Sequence, residues 1–169
     1  GALQEHLTDS LSHAGFLHDE RFFDMRDARM RDFAAAPERF PAHAGGAYPD
    51  DAGELQGLMA RYLNRDGAGA PRNSCVGIAA PHASPEGGWE SYRDAYLALP
   101  ERDEDRVFVV LGTSHYGEPE RFGLTRKPYV TPFGASRTEG GMVDWLAARA
   151  PSAVTMEDYC HAVEHSIEF

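Results

Sequence analysis

Two histidines stand where apolar runs end. "CVGIAAPH" (75–82) leads into His82, and "RVFVVLGTSH" (106–115) leads into His115. Neutral imidazole is the commonest protein ligand for zinc, copper and iron. Two rings handed over by neighbouring strand ends can face one ion, however far apart they are in sequence. The plainer alternative is that each ring caps its loop or bonds a backbone carbonyl, and for one histidine taken alone that alternative carries more weight. A pair at equivalent positions brings the two readings level, because an open parallel sheet binds its ligands outside the carboxyl ends of its strands.

The segment "HAVEHSIEF" (161–169) adds His161, Glu164, His165 and Glu168. On a helix, His161 and Glu164 share a face and Glu168 follows Glu164 one turn later. The H-x-x-E-H spacing is also that of an inverted zinc-peptidase signature, in which a helix supplies two histidine ligands and a glutamate base. That metallohydrolase reading needs a third ligand downstream. The competing reading is a solvated helix end whose charges only face water. His43, in the turn "FPAHAGGAYP", either lines a pocket or faces solvent. Cys75 opens an apolar run and reads as packing, and Cys160, beside His161, reads as structural rather than nucleophilic. The sequence has no G-x-S-x-G elbow, P-loop or dinucleotide fingerprint.

The elements that must position these groups follow from periodicity. The runs 75–80 and 106–112 have the unbroken apolar character of strands buried in a parallel sheet. "GGWESYRDAYLAL" (87–99) between them predicts a helix, so strand, helix and strand imply a parallel pair with a right-handed crossover. "RFGLTRK" (121–127) predicts a short third strand and "MVDWLAARA" (142–150) a further helix. "PDDAGELQGLMARYL" (49–63) predicts a helix capped by Asp50 or Asp51, with Leu55, Leu58, Met59, Tyr62 and Leu63 on one face.

Residues 1–40 differ in character. Leu3, Leu7 and Leu11 fit one helical face with Gly15 as its stop, and Asp19 is placed to cap a second helix carrying Phe22, Phe23, Met25, Met30 and Phe33. Pro37 and Pro41 end this region. It is too small to be stable alone and is expected to pack on the rest of the chain. The expected organisation is a helical extension over 1–40 and an α/β domain over 41–169, with a central, mostly parallel sheet flanked by helices.

Composition narrows the function classes. Of 169 residues, 25% are charged and 42% hydrophobic, as in ordinary globular proteins. The net charge of −11 disfavours nucleic acid and anionic membranes as partners. No apolar run approaches the roughly 20 residues needed to cross a bilayer, and no signal-peptide pattern opens the chain. With two cysteines there is no disulfide framework, and a reducing cytoplasm is the expected setting.

Five blocks in register then carry a resemblance: "FPAHAGGAYPDDAGELQGLMARYL", "GIAAPHA", "VFVVLGTSHYG", "LTRKPYVTPFG" and "HAVEHSIEF". Over residues 41–169 the chain resembles the Memo-like proteins, also called AmmeMemoRadiSam system protein B. The resemblance implies an α/β fold like that of the class III extradiol dioxygenases, with a metal pocket at the carboxyl edge of the sheet. It implies His82 and His115 as metal ligands, Glu164 and His165 as orienting or acid–base groups, and His43, His161 and Ser114 as pocket lining. The implied cofactor is a divalent metal ion, Fe2+ first, with copper or zinc as alternatives. The implied chemistry is metal-dependent oxidation of a small molecule; a binding or adaptor module using the same pocket is the alternative.

The chain departs from the family at "PHASPEGG", where Ser84-Pro85 replaces the usual continuation, so substrate specificity does not carry over. Members also continue beyond "EHSIEF". The expectation is therefore of a fragment whose third metal ligand lies past Phe169, whose sheet edge invites association, and whose partners include a small molecule and a radical-SAM protein.

Overall fold

A computed structural model describes residues 1–64, 75–99 and 106–169. Helix α1 (Ala2–His13) ends at Ala14, and Gly15 at φ +75° makes the left-handed turn after it. Asp19 caps helix α2 (Glu20–Ala35), its carboxylate accepting the Phe22 N–H at 3.0 Å and the Ser12 hydroxyl at 2.6 Å. One side chain therefore starts α2 and ties it to the end of α1.

The extension docks through the last turn of α2. Phe33 is buried and meets Tyr159 edge to face, with ring centroids 6.2 Å apart. The Lys127 ammonium sits 5.0 Å over the Phe33 ring, donates to the Ala34 carbonyl at 3.1 Å and pairs with Glu157 at 3.1 Å. The leucine stripe of α1 has no such partner, and Leu3 and Leu7 face solvent. Lys127→Met is expected to cost about 2–3 kcal/mol, since it removes a buried cation from a half-buried carboxylate and a helix-end carbonyl. Hydrogen exchange should then show α2 losing protection ahead of the rest of the chain.

Helix α3 (Ala52–Tyr62) is capped by Asp51, which accepts the Glu54 N–H at 2.9 Å. Helix α4 (Pro85–Tyr96) starts on a proline, whose missing N–H costs nothing in a first turn. The two helices meet through Tyr62 and Trp89, stacked at 5.6 Å with an interplanar angle of 11°.

The sheet content is small and mixed. Strand β1 (Phe122–Leu124) is followed by the hairpin of β2 (Tyr129–Thr131) and β3 (Gly134–Ser136), then by helix α5 (Gly140–Arg149) and strand β4 (Val154–Met156). β1 and β4 pair in parallel, and β2 and β3 pair antiparallel. Residue Arg39 adds a parallel bridge to β2, its N–H donating to Pro128 at 2.9 Å while its carbonyl accepts from Val130 at 2.8 Å. Two single-turn helices, α6 (Cys160–Val163) and α7 (His165–Glu168), close the chain.

A parallel pair is thus present, but between β1 and β4. The runs 75–80 and 106–112, expected as its strands, lie outside every ladder among the described residues. Val107 to Leu111 are 51–83% exposed. The physical reason is that a run apolar on both faces is stable as a strand only when neighbours pair its edges and helices cover its faces. Among the described residues neither cover is met. No helix among the described residues is long and apolar enough to cross a membrane.

Candidate metal centre

The loop carrying His115 is stitched to the end of the chain. The Ser166 hydroxyl donates to the Thr113 carbonyl at 2.8 Å, and the His115 N–H donates to Glu164 at 2.8 Å. Gly112 lets the two segments close: a Cβ there would lie 2.4 Å from an Ile167 side-chain carbon. Any larger residue at 112 would push α7 away from the loop.

Glu164 is the electrostatic centre. It is buried, 3% exposed, and sits at the break between α6 and α7, where φ −74° and ψ 117° interrupt the helix. Burial by itself would raise its carboxyl. The His115 amide and ring and the Ser166 amide outweigh burial and hold it below the ordinary 4.5. An ionised carboxylate only accepts, so His115 Nδ1, at 3.0 Å, must carry the proton. The lone pair of that ring is then on Nε2. A carboxylate fixing the tautomer of a ligating histidine is the usual support for a metal-bound imidazole. His165 Nδ1 approaches the same carboxylate at 3.3 Å.

The imidazoles converge. The His82 and His115 rings are 5.6 Å apart, His82 and His165 are 5.5 Å apart, and His115 stacks on His165 at 5.2 Å and 18°. His115, Glu164 and His165 offer one donor atom each within 4.8 Å of one another. This set fits a divalent ion on its chemistry: two borderline nitrogen donors, one hard oxygen, and a third imidazole beside them. Glu164 and His165 thus supply candidate third donors inside the chain, where the sequence had pointed beyond Phe169. His82 and His115 are exposed, which leaves the centre open to a small molecule.

His43 joins from the N-terminal turn, its ring 6.0 Å from His165 and 5.6 Å from Phe169. The structure keeps His161 out of this group. It is buried, with Nδ1 2.6 Å from the Tyr129 hydroxyl, and burial pushes its imidazole down so that it stays neutral. The backbone break at Glu164 explains the separation, since His161 and His165 do not share one helix face. The H-x-x-E-H arrangement of a zinc-peptidase helix is therefore not formed. Ser114 Oγ accepts the Gly117 N–H at 3.1 Å and shapes the turn after the loop. Burial, then Asp158, push the Cys160 thiol up to about 11, which leaves no thiolate at neutral pH.

The spacing rules put Glu168 on a helix face and passed over Arg39 and Tyr48. In the fold these three form one knot beside His43, with Arg39 and the Glu168 side chain buried and Tyr48 half-buried. Glu168 accepts the His43 N–H at 2.9 Å and the Tyr48 hydroxyl at 2.6 Å on one oxygen. Its other oxygen takes the Ala42 N–H at 3.0 Å and the Arg39 guanidinium at 2.5 Å. The one sequence signal was a lone arginine inside "AAAPERFPA", at the boundary between the two regions. A separate cleft of about 700 Å³ lies between the 45–50 turn, α3 and the start of α4, lined by Glu54, Arg61, Tyr62 and Trp89. None of the four clustered histidines lines it.

Glu164→Gln is expected to weaken divalent-metal binding by about 10–100-fold, because the amide no longer fixes the His115 tautomer by charge. Its effect on stability has a defined sign. The folded carboxyl sits below the ordinary 4.5, so its stabilisation is complete above that value and fades as pH falls through the lower folded one. Thermal melts of wild type and variant should differ at neutral pH and converge only in acid.

Comparison with known proteins comes down on one family. Its profile, described as Memo-like protein, matches residues 39–169. A MEMO1 family protein of Aquifex aeolicus is 28% identical over 153 residues, covering 90% of this chain and 40% of that protein. One from Pyrococcus furiosus is 32% identical over 127 residues, covering 74% of this chain and 42% of its own length. One from Methanopyrus kandleri is 30% identical over 141 residues, covering 78% and 49%. The chain spans less than half the length of these curated relatives.

Proposed function

Because the chain belongs to the Memo-like family, we propose that it carries the histidine-bearing part of a non-haem metal site for oxidising a small molecule. The architecture would be of the class III extradiol dioxygenase type, working in a reducing cytoplasm. The observation that supports this most is the triangle of His82, His115 and His165 rings, two of which, His115 and His165, meet one ionised carboxylate. In this reading His82 and His115 hold the ion through nitrogen, and Glu164 orients His115 by accepting its Nδ1–H. Iron is the first assignment, with copper or zinc as alternatives. A bound redox-active ion would supply Lewis acidity and an electron-transfer couple.

The remaining work falls to the chain's own groups. His165, half-buried and paired with Glu164, is placed to accept a proton from a hydroxyl-bearing substrate. The Glu164 charge would stabilise the imidazolium that results. His43 would close one side of the cavity, leaving the His82 side open for entry. A radical-SAM protein remains a proposed partner on the family resemblance alone.

The test is oxygen uptake by the chain loaded anaerobically with Fe2+ and offered a panel of catechols, with chelator-treated protein as control. Metal-dependent uptake on at least one catechol is the expected result. Metal binding with no uptake across the panel would overturn the oxidase reading and leave the pocket a recognition site, as in an adaptor.

A further inference from the structure

The Glu168 carboxylate is crowded. A carboxylate offers about four acceptor positions; Ala42 N–H, His43 N–H and Tyr48 O–H donate to it, and the Arg39 guanidinium pairs with it as an ion. All four come from one short stretch, residues 39–48, more than a hundred residues earlier in the chain. Burial would raise this carboxyl, yet Tyr48, the two amides and Arg39 together lower it, so the group that grips the turn is an anion. Burial, then Glu168, push the Tyr48 hydroxyl up, so Tyr48 stays a donor.

The grip has a consequence for His43. Its Nε2 lies 3.0 Å from the Val163 carbonyl. A carbonyl only accepts, so Nε2 carries the hydrogen and the neutral ring keeps its lone pair on Nδ1. With the backbone of 42–43 held by Glu168, the ring has little freedom to leave Val163.

We propose that Glu168 is a positioning residue that holds His43 in its Nε2–H tautomer, leaving Nδ1 as the acceptor for a hydroxyl or ammonium group of the ligand. Only the ligand's role in this rests on the metal-site reading above; the tautomer does not. Glu168 acts through His43 and touches no ligand itself. Glu168→Gln would place an amide NH2 among these four groups and release the turn.

The experiment is a 1H–15N correlation of histidine ring nitrogens in the full, chelator-treated chain, with His43→Ala assigning the signal. In wild type the two His43 nitrogens should differ widely, as a protonated and an unprotonated site do. In Glu168→Gln that difference should shrink to about half or less, the average of two tautomers. A wild-type ring already averaged, or a split that survives in Glu168→Gln, would overturn the proposal. Should Glu168→Gln not fold, Tyr48→Phe removes one of the three donors. A narrowed His43 split then supports the proposal, and an unchanged one overturns it. A Co2+ titration of the same samples separates the two ideas. No Co2+ binding in wild type sinks the metal reading and leaves the ring signature intact, whereas normal Co2+ binding with an averaged wild-type His43 sinks this one.

Discussion

Alanine at both His82 and His115 is expected to lower Co2+ or Zn2+ affinity by about 100-fold or more. Each ring would contribute a nitrogen donor to one ion, and losing a ligand costs at least what losing its supporting partner does. The single variants sharpen the assignment. His115→Ala removes a donor and also empties the Glu164 hydrogen bond at 3.0 Å, so it should be the worse of the two. His165→Ala should cost only about 10-fold if that ring moves protons. Titration calorimetry reads all five proteins on one scale. Equal affinity in wild type and the double variant would remove the metal centre altogether. A His165→Ala loss as deep as that of His115→Ala, with His82→Ala mild, would shift the ligand set to His115, Glu164 and His165.

The largest effect on stability is expected at Arg39, on the far side of the same knot. Arg39 is 1% exposed. Its Nε donates to the His161 carbonyl at 2.8 Å, its guanidinium pairs with Glu168, and its Cζ lies 5.0 Å over the Tyr129 ring. Removing one member of a buried pair leaves the other desolvated and uncompensated, typically for about 3–5 kcal/mol. Arg39→Met should cost that much in urea unfolding. Arg39→Lys should rescue little, since one ammonium cannot serve the Nε and Nη positions together. The double variant Arg39→Met/Glu168→Leu should cost less than the two singles summed, because neither charge is then stranded. Simple additivity would mean that the pair is not coupled.

Local signals were legible wherever they depended on neighbours in sequence. Asp19 and Asp51 cap the helices their positions predicted, and Gly15 turns the chain where the leucine stripe stops. The convergence of His82 and His115 followed from a rule about strand ends, although the runs leading to them form no ladder among the described residues. The reading of His161, Glu164 and His165 on one helix failed at Glu164, because no pattern of apolar residues announces a single extended residue between two short turns. Arg39, Tyr48 and Glu168 were illegible for a different reason. Their meaning lies in contacts spanning more than a hundred residues, and spacing rules see only a turn or two.

That single extended residue at 164 has a further consequence. As one continuous helix, 160–168 would stack His161 over His165 and Glu164 over Glu168, and four side chains would serve two faces. The kink makes the peptide a junction box instead. His161 is wired to Tyr129, Glu164 to the His115 loop, and Glu168 to the 39–48 turn. Inserting or deleting one residue here would miswire every connection at once, whereas a point substitution would cut only one. Length, more than composition, is what this stretch has to preserve.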